Sequence, residues 1–205
     1  MATSYTVEAF MGDAKAILSG GAPLEEIKTE IGQRLSALGK RDDLTCMAAQ
    51  FGPTDASNGT YLLWREPPYF TLVLIRLDEH FRSPVHDHAN HWVVASCYKG
   101  VDRWDIYERT DGGTGSGACG LELADQVVLN PGDFIAMPPP PRAIHSHTNL
   151  ARGDTLELIF SAAKPIAAAD RMIYDLPGSK CQPSWFETAD QLQGDWFPPR
   201  GHLAQ

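Results

Sequence analysis

Two stretches decide how this chain is read. One is Ser83-Pro84-Val85-His86-Asp87-His88; the other is Gly132-Asp133-Phe134-Ile135-Ala136-Met137-Pro138, followed by His145-Ser146-His147-Thr148-Asn149. In an extended strand alternate side chains share a face, so His86 and His88 project the same way and Asp87 the other. Two neutral imidazoles converging on one point begin a metal site, because histidine is the commonest nitrogen ligand. The second stretch adds further histidines, and His86, His88 and His145 are the candidate metal ligands. His147 shares the face of His145 if that segment is extended, which makes it an alternative ligand or a donor and base beside the site. His91 follows His88 by three, the wrong parity for the same face, and is the other candidate base.

Outward from these clusters the texture is that of β-structure. The predicted strands are Tyr61–Arg65, Phe70–Leu77, His86 with its flanks, Trp92–Tyr98, Arg103–Arg109, Leu121–Leu129, Phe134–Met137, Ala143–His147 and Thr155–Phe160. Turn chemistry separates them, in Pro67-Pro68, Lys99-Gly100, Asp111-Gly112-Gly113 and Asn130-Pro131-Gly132-Asp133. Short strands at this spacing, with no interleaved helices, indicate an all-β sandwich or barrel over residues 59–165. Residues 1–58 read as a helical segment packed on it. Val7, Phe10, Met11, Ala14 and Leu18 precede a stop at Gly20-Gly21, and Pro23 opens a second helix that ends near Gly39. Residues 166–205, broken by prolines, read as an irregular tail anchored by Trp185, Phe186, Trp196 and Phe197.

Composition narrows the partners. With 43% hydrophobic and 21% charged residues, the chain has an ordinary soluble globular mix. A net charge of −9 and a pI near 5.1 argue against nucleic acid and against an anionic membrane surface. The N-terminus shows no export pattern and no stretch is long enough to span a bilayer. The cysteines (Cys46, Cys97, Cys119, Cys181) are scattered as in a reducing compartment, so a cytoplasmic protein with free thiols is expected. A small-molecule substrate and a monomer or homodimer complete the expectation.

The two histidine stretches resemble the motifs of the cupin superfamily. The first motif has HxH, a Glu four or five positions on, and a closing Gly, whose place Gly100 takes. Gly132, Pro138, His145 and Asn149 fit the second, with a turn about two residues longer than usual. The resemblance covers roughly residues 70–150 and implies a cupin jelly-roll (double-stranded β-helix) barrel with N-terminal helices. The Glu position falls on Val93, or on Trp92 in the shorter spacing, and neither can ligate. The remaining three-histidine pattern resembles the thiol dioxygenases, including cysteine dioxygenase, in the spacing from Phe70–Ile75 through His86-Asp87-His88 to Gly100. That implies Fe(II), with O2 and a thiol as reactants and a sulfinate as product. On affinity grounds three imidazoles accept Ni, Cu or Zn as readily, and Mn is a further alternative.

The departures bear on the substrate. The carboxylate-clamping arginine of cysteine dioxygenases falls on Thr60, with Arg65 and Arg76 as the nearest alternatives. The positions of the cross-linked Cys and Tyr fall on Val93 and Phe160, and Leu156, Leu158 and Phe160 replace that family's Ser, His and Tyr. The resemblance therefore implies an apolar pocket wall, with Phe160 in it and Trp92 shaping it. Arg82 and Arg142 flank the two clusters as candidate anion binders. The expected activity is that of a thiol dioxygenase-like enzyme whose substrate is not cysteine. The alternatives are a metal-dependent cupin lyase, isomerase or hydrolase, or a non-catalytic cupin that binds a small molecule. Asp87 is expected to orient a neighbouring loop, and His80 to face solvent.

Overall fold

A computed structural model describes residues 5–46, 59–66, 70–88, 91–113, 115–137, 143–162 and 172–183. Two helices come first. α1 (Val7–Ser19) is capped by Thr6, whose hydroxyl accepts from the Ala9 amide at 3.1 Å, and it buries Val7, Phe10, Met11 and Ala14. α2 (Leu24–Leu38) buries Ile31, Gly32, Leu35 and Leu38, with Pro23 one position earlier than a first-turn proline. Gly32 lets the helix sit directly on Phe134, because a Cβ there would lie 2.2 Å from that ring. Lys28 is wholly buried and donates to the Met137 carbonyl at 2.9 Å, tying α2 to the end of a strand.

The strands are β1 (Thr60–Glu66), β2 (Phe70–Leu77), β3 (Val85–His86), β4 (Trp92–Lys99), β5 (Asp102–Arg109), β6 (Gly117–Ala118), β7 (Leu121–Leu129), β8 (Phe134–Ala136), β9 (Ile144–Asn149), β10 (Thr155–Ala162), β11 (Met172–Asp175) and β12 (Lys180–Pro183). One sheet runs β1-β2-β10-β4-β8 and the other β6-β12-β11-β3-β9-β5-β7. Within them, β2-β10-β4-β8 faces β3-β9-β5-β7. This is the strand order of a jelly roll, two Greek keys folded into facing antiparallel sheets. The fold is thus all-β, a jelly roll with N-terminal helices.

Alternation along the strands of the first sheet serves two cores. Leu72, Leu74, Val94, Leu156, Leu158 and Phe160 form one with Phe10, Met11, Ile31, Leu35 and Leu38 of the helices. The opposite face turns Val93, Ala95, Cys97 and Ile159 into the barrel, where Trp104, Leu129 and Met137 join them. One end of the barrel is closed by the motif residues themselves. Gly100 has φ +88°, and a Cβ there would lie 2.3 Å from the Thr155 hydroxyl, so this corner requires glycine. Asn149 acts as a clip: its Nδ2 donates to the carbonyls of Leu77 (3.0 Å), Asp78 (3.0 Å) and Gly153 (2.7 Å), and its Oδ1 accepts from the Thr155 hydroxyl at 2.7 Å.

The region expected to be irregular differs from that reading. β11 and β12 form a hairpin there, and β11 pairs with β3, placing Ile173 opposite His86. The anchors expected at Trp185, Phe186, Trp196 and Phe197 lie outside the described residues. Among the described residues, no helix is long and apolar enough to cross a membrane.

Candidate metal centre

β3 and β9 run antiparallel with His86 directly opposite His145, and His88 follows on the same face. The strand geometry brings the ring centroids of His86 and His145 to 4.5 Å, and His88 lies 5.1 Å from each. One ligand atom from each histidine falls within 4.8 Å of the other two. His145 is 1% exposed and His86 9%. Two rings are oriented by the backbone: Nδ1–H of His86 donates to the Pro84 carbonyl and Nδ1–H of His145 to the Ala143 carbonyl, each at 2.9 Å. That tautomer leaves the Nε2 lone pair available, which is how a ligating histidine is normally held. The donor set therefore fits a metal cation. Asp87 points the other way, as alternation requires, and accepts from the Tyr174 hydroxyl at 2.8 Å and the Met172 amide at 3.2 Å. It locks β11 beside the site.

The indole of Trp104 stacks on His145 at 4.8 Å with planes 16° apart, and its centroid is 5.1 Å from that of His147. His147 opens a second cluster, deeper along β9. Its Nδ1 lies 3.2 Å from Asp102 Oδ2 and 3.2 Å from Glu157 Oε2, and Trp104 Nε1 donates to Glu157 Oε1 at 3.0 Å. Burial disfavours charge on His147, but the two neighbouring carboxylates, Asp102 and Glu157, outweigh it and raise its pKa. Glu157 is raised as well, by burial first and by the charge of Asp102 second. Asp102 and Glu157 are not singled out by the sequence. A glutamate inside the apolar run Leu156–Phe160 was the signal that could have found the cluster.

The other sequence candidates are distributed differently from expectation. Phe160 does not join the histidines. Its ring packs on Phe10 of α1, on Phe70 and on Trp92, at 5.8, 5.3 and 5.6 Å. Trp92 and Phe160, with Leu156 and Leu158, thus belong to the core between sheet and helices rather than to a pocket wall. The barrel-facing residues of β10 are Glu157, Ile159 and Ser161, and Ser161 pairs in register with Val93. Ser161 Oγ lies 3.4 Å from His91 Nδ1. Arg76 pairs with Asp78 at 3.2 Å and Asp154 at 3.8 Å on the surface, and Arg82 reaches Asp105 at 3.9 Å with over half of its side chain exposed. Arg65 lies on the edge strand β1 opposite Thr71. Arg142 and Pro138 lie outside the described residues. His80 is exposed, at φ +69°.

No protein-family model and no curated protein matches the chain. Similar solved structures include the cupin domain of Schizosaccharomyces pombe Cnp3, at 11% identity and TM-score 0.40 over 51% of this chain and 64% of that one. A sugar phosphate isomerase of the cupin superfamily from Silicibacter pomeroyi gives 18% identity and TM-score 0.36, covering 52% of this chain and 55% of that one. The DMSP lyase DddQ from Ruegeria pomeroyi gives 14% and 0.38, covering 52% and 47%. The chain spans between about half and just under two thirds of the length of the first of these structures. At such identities the strand order, and not these likenesses, carries the fold: a jelly roll in which His86, His88 and His145 could hold a metal.

Proposed function

We propose that the protein is a mononuclear non-haem iron(II) dioxygenase acting on a small organic thiol other than cysteine. The observation that carries this reading is a ligand set of three imidazoles, His86, His88 and His145, with no carboxylate among them. Such a set leaves the full charge of a divalent cation uncompensated, which favours an anionic partner such as a thiolate. Iron(II) held there would supply open positions where a thiolate and O2 can meet, as in the thiol dioxygenases that the three-histidine pattern resembles.

The chain's own residues contribute orientation and exclusion of water. The Pro84 and Ala143 carbonyls fix the rings of His86 and His145, and Trp104 backs His145 from its face. Val93, Ala95 and Ile159 make the adjacent barrel interior apolar, which strengthens electrostatic interactions by excluding water. Ser161 and His91 offer a polar pair on that wall. His147 is engaged by two carboxylates, so His91 is the better candidate to accept a substrate proton. Arg76 pairs with the surface carboxylates of Asp78 and Asp154, and Arg82 lies on the exposed side of the buried Asp105, which supports a substrate that neither of them clamps.

Oxygen uptake by anaerobically iron-loaded protein, measured against a panel of thiols that includes cysteine, tests this directly. Uptake matched one to one by sulfinate from a thiol other than cysteine is the expected result. Turnover without O2, or tight binding with no turnover, would overturn it.

A further inference from the structure

Asp102 on β5, His147 on β9 and Glu157 on β10 converge in the barrel one register step deeper than His145, and each is buried, at 0%, 7% and 0% exposure. We infer that these three side chains form a second cation site, distinct from the three-histidine centre, that takes a small divalent cation such as zinc or manganese. The argument begins with proton supply. An imidazole carries at most one hydrogen on Nδ1. Here two carboxylate oxygens, Asp102 Oδ2 and Glu157 Oε2, both stand 3.2 Å from that one nitrogen. The hydrogen bond goes to Asp102, and among the described residues Glu157 Oε2 and Asp102 Oδ1 are buried with no hydrogen-bond partner. Two carboxylates side by side, served by one proton and screened from water, are costly to bury.

A cation satisfies all three groups at once. Ligands held tetrahedrally at about 2.0–2.1 Å from zinc are spaced about 3.3–3.4 Å from one another, close to the 3.2 Å separations seen here. The carboxylate of Glu157 is already aimed, because its other oxygen accepts from Trp104 Nε1 at 3.0 Å. An outer partner of this kind is what orients ligating carboxylates. One nitrogen and two anionic oxygens compensate a divalent charge, whereas three imidazoles do not, so the two sites differ in the cations they prefer. The strands joined come from both sheets, β10 from one and β5 and β9 from the other. A cation here would cross-link the facing sheets beneath the histidine centre.

Full-length protein stripped with chelator and titrated with zinc tests the inference. Two equivalents per chain are expected, with anomalous scattering at the zinc edge placing one peak among Asp102, His147 and Glu157. Glu157→Gln should lose one equivalent and keep the other, and its retained Oε1 acceptor preserves the bond from Trp104. The His86→Ala/His88→Ala variant should lose the opposite equivalent while keeping the deeper peak. Absence of a peak among these three residues at saturating zinc overturns the inference without reference to any variant. So does Glu157→Gln with undiminished zinc content. Loss confined to the histidine centre would count against the proposed dioxygenase alone.

Discussion

His145 is held from several directions at once: its Nδ1 by the Ala143 carbonyl, its face by Trp104, and its strand position by His86 across the ladder. Trp104 in turn is fixed by its bond to Glu157. Trp104→Phe keeps most of the ring but removes that donor, leaving a buried carboxylate oxygen without it. A loss of about 1–3 kcal/mol is expected from urea denaturation, and an unchanged midpoint would contradict the role given to this bond. The same cluster makes a statement about pH. Glu157 is raised from its ordinary 4.5 to about 7 and His147 from 6.5 to about 10, so both bind protons more tightly in the folded chain than in the unfolded one. Their contribution to the stability of the metal-free protein is therefore full below about 4.5. It fades as pH rises through about 7 and again through about 10. Denaturation midpoints of the metal-free protein should fall with rising pH across this window, and Glu157→Gln should flatten the lower part of the fall. An identical decline in the variant would refute the assignment.

At the scale of elements, the strand pattern was legible wherever local signals were strong. β2 and β7 have the boundaries that alternation and turn residues give, and the Gly20-Gly21 and Gly39 stops bound the two helices. The hairpin β11–β12 was not legible. Met172–Asp175 is too short to show periodicity, and its pairing partner is the two-residue β3, far away in sequence. What defines β11 is a long-range bond, from the Tyr174 hydroxyl to Asp87. Tyr174→Phe removes a hydrogen bond to a charged group, with an expected cost of about 1.5–3 kcal/mol. Faster amide exchange in β11 and β3 should accompany it, and unchanged exchange would show that the strand is held otherwise. The two motifs were legible for a reason their spacing does not reveal. Gly100 and Asn149 serve the closed end of the barrel, where a positive φ and a row of carbonyls have to be accommodated.

For the molecule as a whole, the instructive difference is on β10. Both of its faces are buried, one under the helices and one inside the barrel, so hydrophobicity does not say which face lines the interior. A one-residue shift in register reverses every side chain, and that is what separates the pocket expected from Leu156, Leu158 and Phe160 from the interior formed by Glu157, Ile159 and Ser161. Phe160, wholly buried against Phe10 and Phe70, belongs to the attachment of the helices. Phe160→Ala should cost about 3–5 kcal/mol of stability while metal affinity stays as in the unaltered protein. A large loss of metal affinity with little loss of stability would return it to the pocket. Above all, the account depends on His86, His88 and His145 acting together on one cation. Anomalous scattering at the iron edge from crystals of the iron-loaded protein tests this most directly. It should place iron within about 2.2 Å of the Nε2 atoms of all three histidines, and iron found elsewhere, or bound by only one of them, would contradict it.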